Sequence, residues 1–168
     1  MAQITLGGSP VSTSGNLPEI GSKAPDFKLT AEDLSTKTLN DFSGKKILMN
    51  IFPSVGTGIC AQSVRMFNQE ASELDNTIVL CISRDLPFAQ SGFCAAEGLE
   101  NVITLSDFRT HQFGKDYGLE MLGGKFEGLL SRVVIVLDEN GIVKYTEQVP
   151  EIGQEPNYKA PLYALLDE

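Results

Sequence analysis

Lys46-Ile47-Leu48-Met49-Asn50-Ile51-Phe52-Pro53-Ser54-Val55-Gly56-Thr57-Gly58-Ile59-Cys60 is the stretch that decides how this chain is read. Residues 46–52 form an apolar run of strand length, and Pro53 then stops the backbone donating to a ladder. Beyond it Cys60, Val64, Phe67, Ala71 and Leu74 recur at steps of 4, 3, 4 and 3, one face of an amphipathic helix. A cysteine therefore stands in the first turn of a helix, just past a strand edge. Backbone N–H groups point at the sulfur there and the helix dipole favours negative charge, which turns a thiol into a nucleophilic thiolate. Thr57 lies three residues earlier; as an N-cap it holds its hydroxyl close to the sulfur, accepting from one partner and donating to another. Pro53 fixes the chain as it leaves the strand and shields the sulfur from water. Cys60 also lies on the helix's apolar stripe, so spacing alone fits a small buried core residue equally well.

Working outward, 77–83 is a continuous apolar run suited to a strand covered on both faces. Helices are expected over 58–74, 87–97, 108–116 and about 157–167, with Cys94 on the second. Short strands are expected at 27–30, 37–39 and 102–105, and longer ones at 132–137 and 142–147 around the Asn140-Gly141 hairpin turn. Residues 3–14 read as an N-terminal β-hairpin turning at Gly7-Gly8-Ser9-Pro10, and 16–26 as a loop. Alternating strands and helices followed by a hairpin and a helix predict an α/β fold, a central mixed sheet flanked by helices. No repeat or linker divides the chain, so one domain over 1–168 is expected.

Composition narrows the function. With 42% hydrophobic residues and a mean hydropathy near zero, the chain reads as an ordinary soluble globule. A net charge of −9 disfavours nucleic acid or an anionic membrane as partner. No run approaches a membrane span and residues 1–8 lack a signal-peptide pattern, so a cytoplasmic location is expected. In a reducing cytosol, three cysteines are not a disulfide framework, and such disulfides as form are transient and catalytic. Cys81, mid-strand in an apolar run, reads as inert core. His111 is the only histidine and has no ligand spacing around it, which leaves it a surface or capping residue and argues against a metal site. Asp107 and Glu97 suggest no catalytic acid pair. Without a Cys-x-x-Cys, a disulfide reductase is disfavoured.

The pattern Pro53-x-x-x-Thr57-x-x-Cys60 resembles the active-site loop of the peroxiredoxins. The longer run 50–65 is similar to the bacterial thiol peroxidases, the atypical two-cysteine branch of that family. So are 80–90, 93–99 and 101–106, and the resemblance covers essentially the whole chain. It implies a thioredoxin-like fold. By position, Cys60 matches the family's peroxidatic cysteine, Cys94 its resolving cysteine, Arg132 its active-site arginine, and Thr57 and Pro53 the rest of its loop. Gly56 departs from the pattern, since the family often has Asp there; glycine removes a negative charge and loosens the loop.

The resemblance further implies a catalytic cycle. Cys60 reduces hydrogen peroxide or alkyl hydroperoxides and becomes a sulfenic acid, Cys94 converts this to a disulfide, and thioredoxin restores the thiols. No cofactor or metal is required, and a homodimer with a complete site in each chain is implied. Cys60 and Cys94 are expected on separate helices, so bridging them requires local unwinding, eased by Gly58, Gly92 and Gly98. Met66, Phe88, Phe93, Met121, Leu122, Phe126 and Leu129 are candidates for an apolar wall at the site, although their spacings also suit ordinary core.

Overall fold

The computed structural model describes residues 2–166. Its centre is a seven-stranded mixed sheet built from β3 (Lys28–Ala31), β4 (Thr36–Thr38), β5 (Lys46–Ile51), β6 (Thr77–Ser83), β7 (Ile103–Ser106), β8 (Val133–Leu137) and β9 (Val143–Gln148). They lie in the order β4-β3-β7-β6-β5-β8-β9. β5 pairs parallel with β6 and antiparallel with β8, Asn50 lying opposite both Cys81 and Val134. The helices are α1 (Gly58–Ala71), α2 (Pro87–Glu97), α3 (Gln112–Asp116) and α4 (Ala160–Leu166).

The continuous apolar runs are explained by two cores, one on each face of the sheet. Ile47, Met49 and Ile51 of β5 share one core with Leu80, Ile82, Val133, Ile135 and Leu137, where α3 contributes Phe113. Leu48 faces the other core with Val79, Cys81, Val134 and Val136. Cys60, Val64 and Phe67 of α1 and Leu165 of α4 complete this second core, and Phe93 and Cys94 of α2 pack against it. All three cysteines thus lie on one side of the sheet. The thioredoxin-like α/β fold expected from the sequence is the fold observed.

Several boundaries differ from expectation for local reasons. α1 stops at Ala71 and continues only as a turn through Leu74. α3 begins at Gln112 because His111 sits at its N-cap position with φ of 59°, left-handed backbone that breaks the expected helix over 108–116. α4 begins at Ala160, where the Asn157 side chain accepts from the N–H groups of Lys159 and Ala160; Asp167, the last residue of the expected helix, lies outside the described residues. A 3-10 turn over Leu39–Phe42 was not anticipated. Gly58 and Gly98 stand at helix ends, and Gly98 caps α2 with φ of 67°, where glycine favours termination rather than weakening an interior; only Gly92 lies mid-helix.

The N-terminal hairpin forms its own two-stranded sheet from β1 (Gln3–Leu6) and β2 (Ser9–Ser12). Its turn is Gly7-Gly8 alone, both at positive φ, so Ser9 and Pro10 belong to the strand rather than the turn. Glu151 clamps this hairpin to the chain after β9, accepting from Thr5 Oγ1 and from the N–H groups of Gly7, Gly8 and Gly153. The Gly153 and Gly8 N–H groups contribute most to pulling its carboxyl from 4.5 to about 2. A depressed carboxyl stabilises the fold fully above its unfolded value and loses that contribution as pH falls through its folded value. The hairpin amides of Gly7 and Gly8 are therefore expected to lose hydrogen-exchange protection between pH 4.5 and about 2. In Glu151→Gln that pH dependence should vanish, and equal protection at both ends of the range in the native chain would refute the clamp.

Candidate active site

Local sequence positions Cys60 as the spacing predicts. Thr57 is the N-cap of α1 and its Oγ1 accepts from the Cys60 N–H at 3.3 Å, while donating to Ser54 O at 3.3 Å. Pro53 is buried behind the loop and Cys60 is fully buried. The helix N-terminus places partial positive charge next to the sulfur.

Arg132 arrives from the other side of the chain. It sits immediately before β8, not in it, and its backbone O accepts from Val149 N–H at 3.0 Å. Arg132 is 2% exposed, which is rare for a guanidinium with no carboxylate partner among the described residues. Nε and Nη2 both donate to Ile152 O, at 3.0 and 2.8 Å, and Nη2 reaches Cys60 Sγ at 3.4 Å. Nη1 is buried without a hydrogen-bond partner among the described residues. The site thus sets a buried cation against the sulfur, with one of its donors unpartnered among the described residues.

The Ile152 carbonyl that aims Arg132 is itself fixed by the hairpin. Ile152 N–H donates to Thr5 O at 2.9 Å, and its side chain packs with Ile4, Val11 and Met121, against which Phe126 and Leu129 rest. Met121, Phe126 and Leu129 therefore support the arginine's anchor from beneath the hairpin. Of the proposed apolar wall, Phe93 packs against the cluster holding Cys60, whereas Phe88 is 67% exposed. Tyr158 meets Phe67 edge-on, ring centroids 5.3 Å apart. Burial, then its hydrogen bond to Glu155, pushes the Tyr158 hydroxyl above its ordinary value.

Asp85 is the residue that sequence reasoning missed. Its Oδ1 accepts from Ser54 Oγ at 2.6 Å, and its Oδ2 accepts from Val55 N–H at 2.9 Å and Ser83 Oγ at 2.7 Å. The loop 53–57 is thereby tied to the end of β6. The available signal was Ser83-Arg84-Asp85, three polar residues where an apolar strand ends. Arg84 beside it is almost buried and pairs with Asp107 and Glu120, so Asp107 serves an ion network rather than an acid pair. Burial, opposed by Arg84, pushes the Asp107 carboxyl up. Asp85→Asn sets an NH₂ or a weaker acceptor against the Val55 and Ser54 donors. It is expected to cost about 2 kcal/mol of stability and about tenfold in the rate at which Cys60 reacts with peroxide. Denaturant midpoints and competition kinetics check both, and an unchanged rate would show that the loop needs no such tie.

Cys94 lies on α2, half-buried, and is a free thiol like Cys60 and Cys81. Burial, then the nearby Glu32, pushes its thiol up from 9.0. Cys81 is fully buried and its thiol is pushed up to about 12, chiefly by burial, as suits an inert core residue. His111 is exposed and makes no side-chain cap.

A buried, cation-paired cysteine at a helix N-terminus on a thioredoxin-like sheet defines a redox protein that acts through a thiol. Residues 19–162 match the Redoxin family. Thiol peroxidases of Mycobacterium bovis and Mycobacterium tuberculosis are each 54% identical over 165 residues, spanning 98% of this chain and 99% of theirs. A peroxiredoxin-like protein from Aquifex aeolicus superposes with a TM-score of 0.93 at 32% identity, over 99% of this chain and 96% of its own. A thiol peroxidase from Chromobacterium violaceum shares the fold with a TM-score of 0.91 at 21% identity, again over 99% and 96%. The chain belongs to the Redoxin family and, within it, to the thiol peroxidases: it is a thiol-dependent peroxidase, as the sequence pattern implied.

Proposed function

We propose that the chain reduces hydrogen peroxide and alkyl hydroperoxides to water or alcohols by a two-cysteine cycle that thioredoxin renews. The observation that carries this reading is the buried Arg132 guanidinium, 3.4 Å from Cys60 Sγ with its Nη1 unpartnered. The Cys60 thiolate attacks the terminal peroxide oxygen; the S–O bond forms as the O–O bond breaks, and the leaving oxygen takes a proton. Arg132 and the Thr57 hydroxyl stabilise the charge spread over sulfur and two oxygens in the transition state. Pro53 keeps water from the sulfur.

Cys94 then attacks the Cys60 sulfur. An S–S bond forms, the S–O bond breaks, and the hydroxyl departs as water with the Cys94 proton. A dithiol such as thioredoxin reduces this disulfide by exchange. The shared apolar core beneath both cysteines supports the pairing; with the two on separate helices, the cycle includes local unwinding of the first turn of α1 and of the helix bearing Cys94. Exposed Leu86 and Phe88 at the start of α2 offer apolar surface for a homodimer, and a reducing cytoplasm would keep the disulfide transient.

The test adds one equivalent of hydrogen peroxide to the fully reduced protein and titrates thiols. The native chain is expected to lose two of its three thiols and yield a peptide linking Cys60 to Cys94, whereas Cys94→Ser should stop at the Cys60 sulfenic acid. With thioredoxin, its reductase and NADPH, only the native chain should turn over. A disulfide through Cys81, or full turnover by Cys94→Ser, would exclude the cycle as written.

A further inference from the structure

Arg65 is the polar bridge between the two cysteine-bearing helices. From α1 its Nε donates to Glu97 Oε1 of α2, and its guanidinium stands 5.9 Å from the centroid of the Phe93 ring. Phe93 and Glu97 flank Cys94, one residue before it and three after. Two fixed points bracket this part of α2. On one side Gln90 is fully buried and its amide donates to Ser83 Oγ at 3.0 Å and Leu105 O at 2.9 Å. On the other, Asn101 N–H donates to Asn68 Oδ1 of α1 at 2.8 Å, and buried Val102 follows. Between them, 91–100 holds the mid-helix Gly92 and the left-handed Gly98, and none of its residues is fully buried. A cavity of about 440 Å³ opens beside it, lined by Ser91, Cys94 and Ala95 among others. The segment that must yield for Cys94 to move rests on the core only through partly buried Phe93, Cys94 and Leu99, and Arg65 grips it.

We propose that Arg65 is a positioning residue: it latches the Cys94-bearing half of α2 onto α1 and so sets how fast Cys94 reaches oxidised Cys60. The proposal rests on the two-cysteine cycle above. The side chains of Arg65 and Glu97 are 42% and 34% exposed, so the pair is weak and screened by salt, which suits a contact that must break in each turnover. The ring contact adds a comparable small term. While the latch holds, the Cys60 sulfenic acid persists and a second peroxide can carry it to sulfinic acid, with release of another water or alcohol. Arg65 thus partitions the enzyme between resolution and over-oxidation.

The experiment compares the native chain with Arg65→Ala, Glu97→Gln and Arg65→Lys. Hydrogen exchange is measured on the reduced proteins, and disulfide formation is followed by quenched flow after one equivalent of hydrogen peroxide. In Arg65→Ala, exchange over 91–100 should quicken while Gln90 and the body of α1 are unchanged. The disulfide should form about 3- to 10-fold faster, and less sulfinic acid should appear at high peroxide. The native rate should rise with ionic strength and the Arg65→Ala rate should not. Arg65→Lys should recover part of the latch through Glu97, and Glu97→Gln should mimic half of its loss. Unchanged exchange over 91–100, or a disulfide forming at the native rate in Arg65→Ala, overturns the latch. Absence of a Cys60–Cys94 disulfide in every protein, the native one included, overturns the two-cysteine reading and the latch's role in resolution together.

Discussion

Cys60→Ser is expected to reduce peroxide turnover to the uncatalysed background, a fall of about 10⁴- to 10⁶-fold. The substitution is nearly isosteric in a fully buried site, so the fold and the Thr57 cap should survive. What disappears is the nucleophile. A hydroxyl ionises far less readily than a thiol, and the charge of Arg132 3.4 Å away cannot make up that difference. No other cysteine can substitute: Cys81 is buried with its thiol pushed up to about 12, and Cys94 has no cation beside it among the described contacts. Initial rates with a thioredoxin system, alongside a thermal melt, check this. Retention of more than about a tenth of native activity by a well-folded Cys60→Ser would move the chemistry elsewhere.

Arg132→Leu should lower the second-order rate of Cys60 with peroxide by about 10²- to 10³-fold. The leucine fills much of the arginine's stem volume but removes the cation facing Sγ and the unpartnered Nη1 donor together. It also frees Ile152 O from two hydrogen bonds, so some stability is lost or regained according to how the buried charge balances its desolvation. Arg132→Lys should rescue little. An ammonium cannot donate to Ile152 O through a fork while also facing the sulfur, so aim is lost even where charge is kept. Reduction of a preformed disulfide by thioredoxin should be nearly unaffected in both variants, because that step needs no donor at the peroxide position. Equal slowing of both steps would mean a general structural defect rather than a role at the sulfur.

Much of this was legible in the chain before any fold was known. The strand expected over 46–52, the Thr57 cap and the placement of Cys60 at the third helical position all follow from near-neighbour spacing, and the structure reproduces them with the strand ending at Ile51. The strands at 77–83 and 133–137 announced themselves as unbroken apolar runs because both faces of the sheet are covered. Helix ends were less legible. The left-handed backbone of His111 and the Asn157 side-chain cap are single-residue choices that periodicity does not register.

Near-neighbour spacing alone placed Cys60 beside its Thr57 cap, because residues three apart at a helix start meet whatever the rest of the chain does. Spacing could not say what stands opposite them; Arg132 was named only through the family resemblance, and Ile152 and Asp85 not at all. The cation at Cys60 comes from 72 residues away, the carbonyl aiming that cation from 20 residues beyond it, and the Asp85 tie on the loop from 31 residues after Ser54. Arg132, Ile152, Asp85 and the Arg65 bridge converge only because the sheet order places β5 between β6 and β8, with the 150–152 segment paired to the N-terminal hairpin. Those contacts depend on long-range closure, whose cost is met by burying both faces of the sheet, and no local pattern encodes which distant side chain that burial delivers.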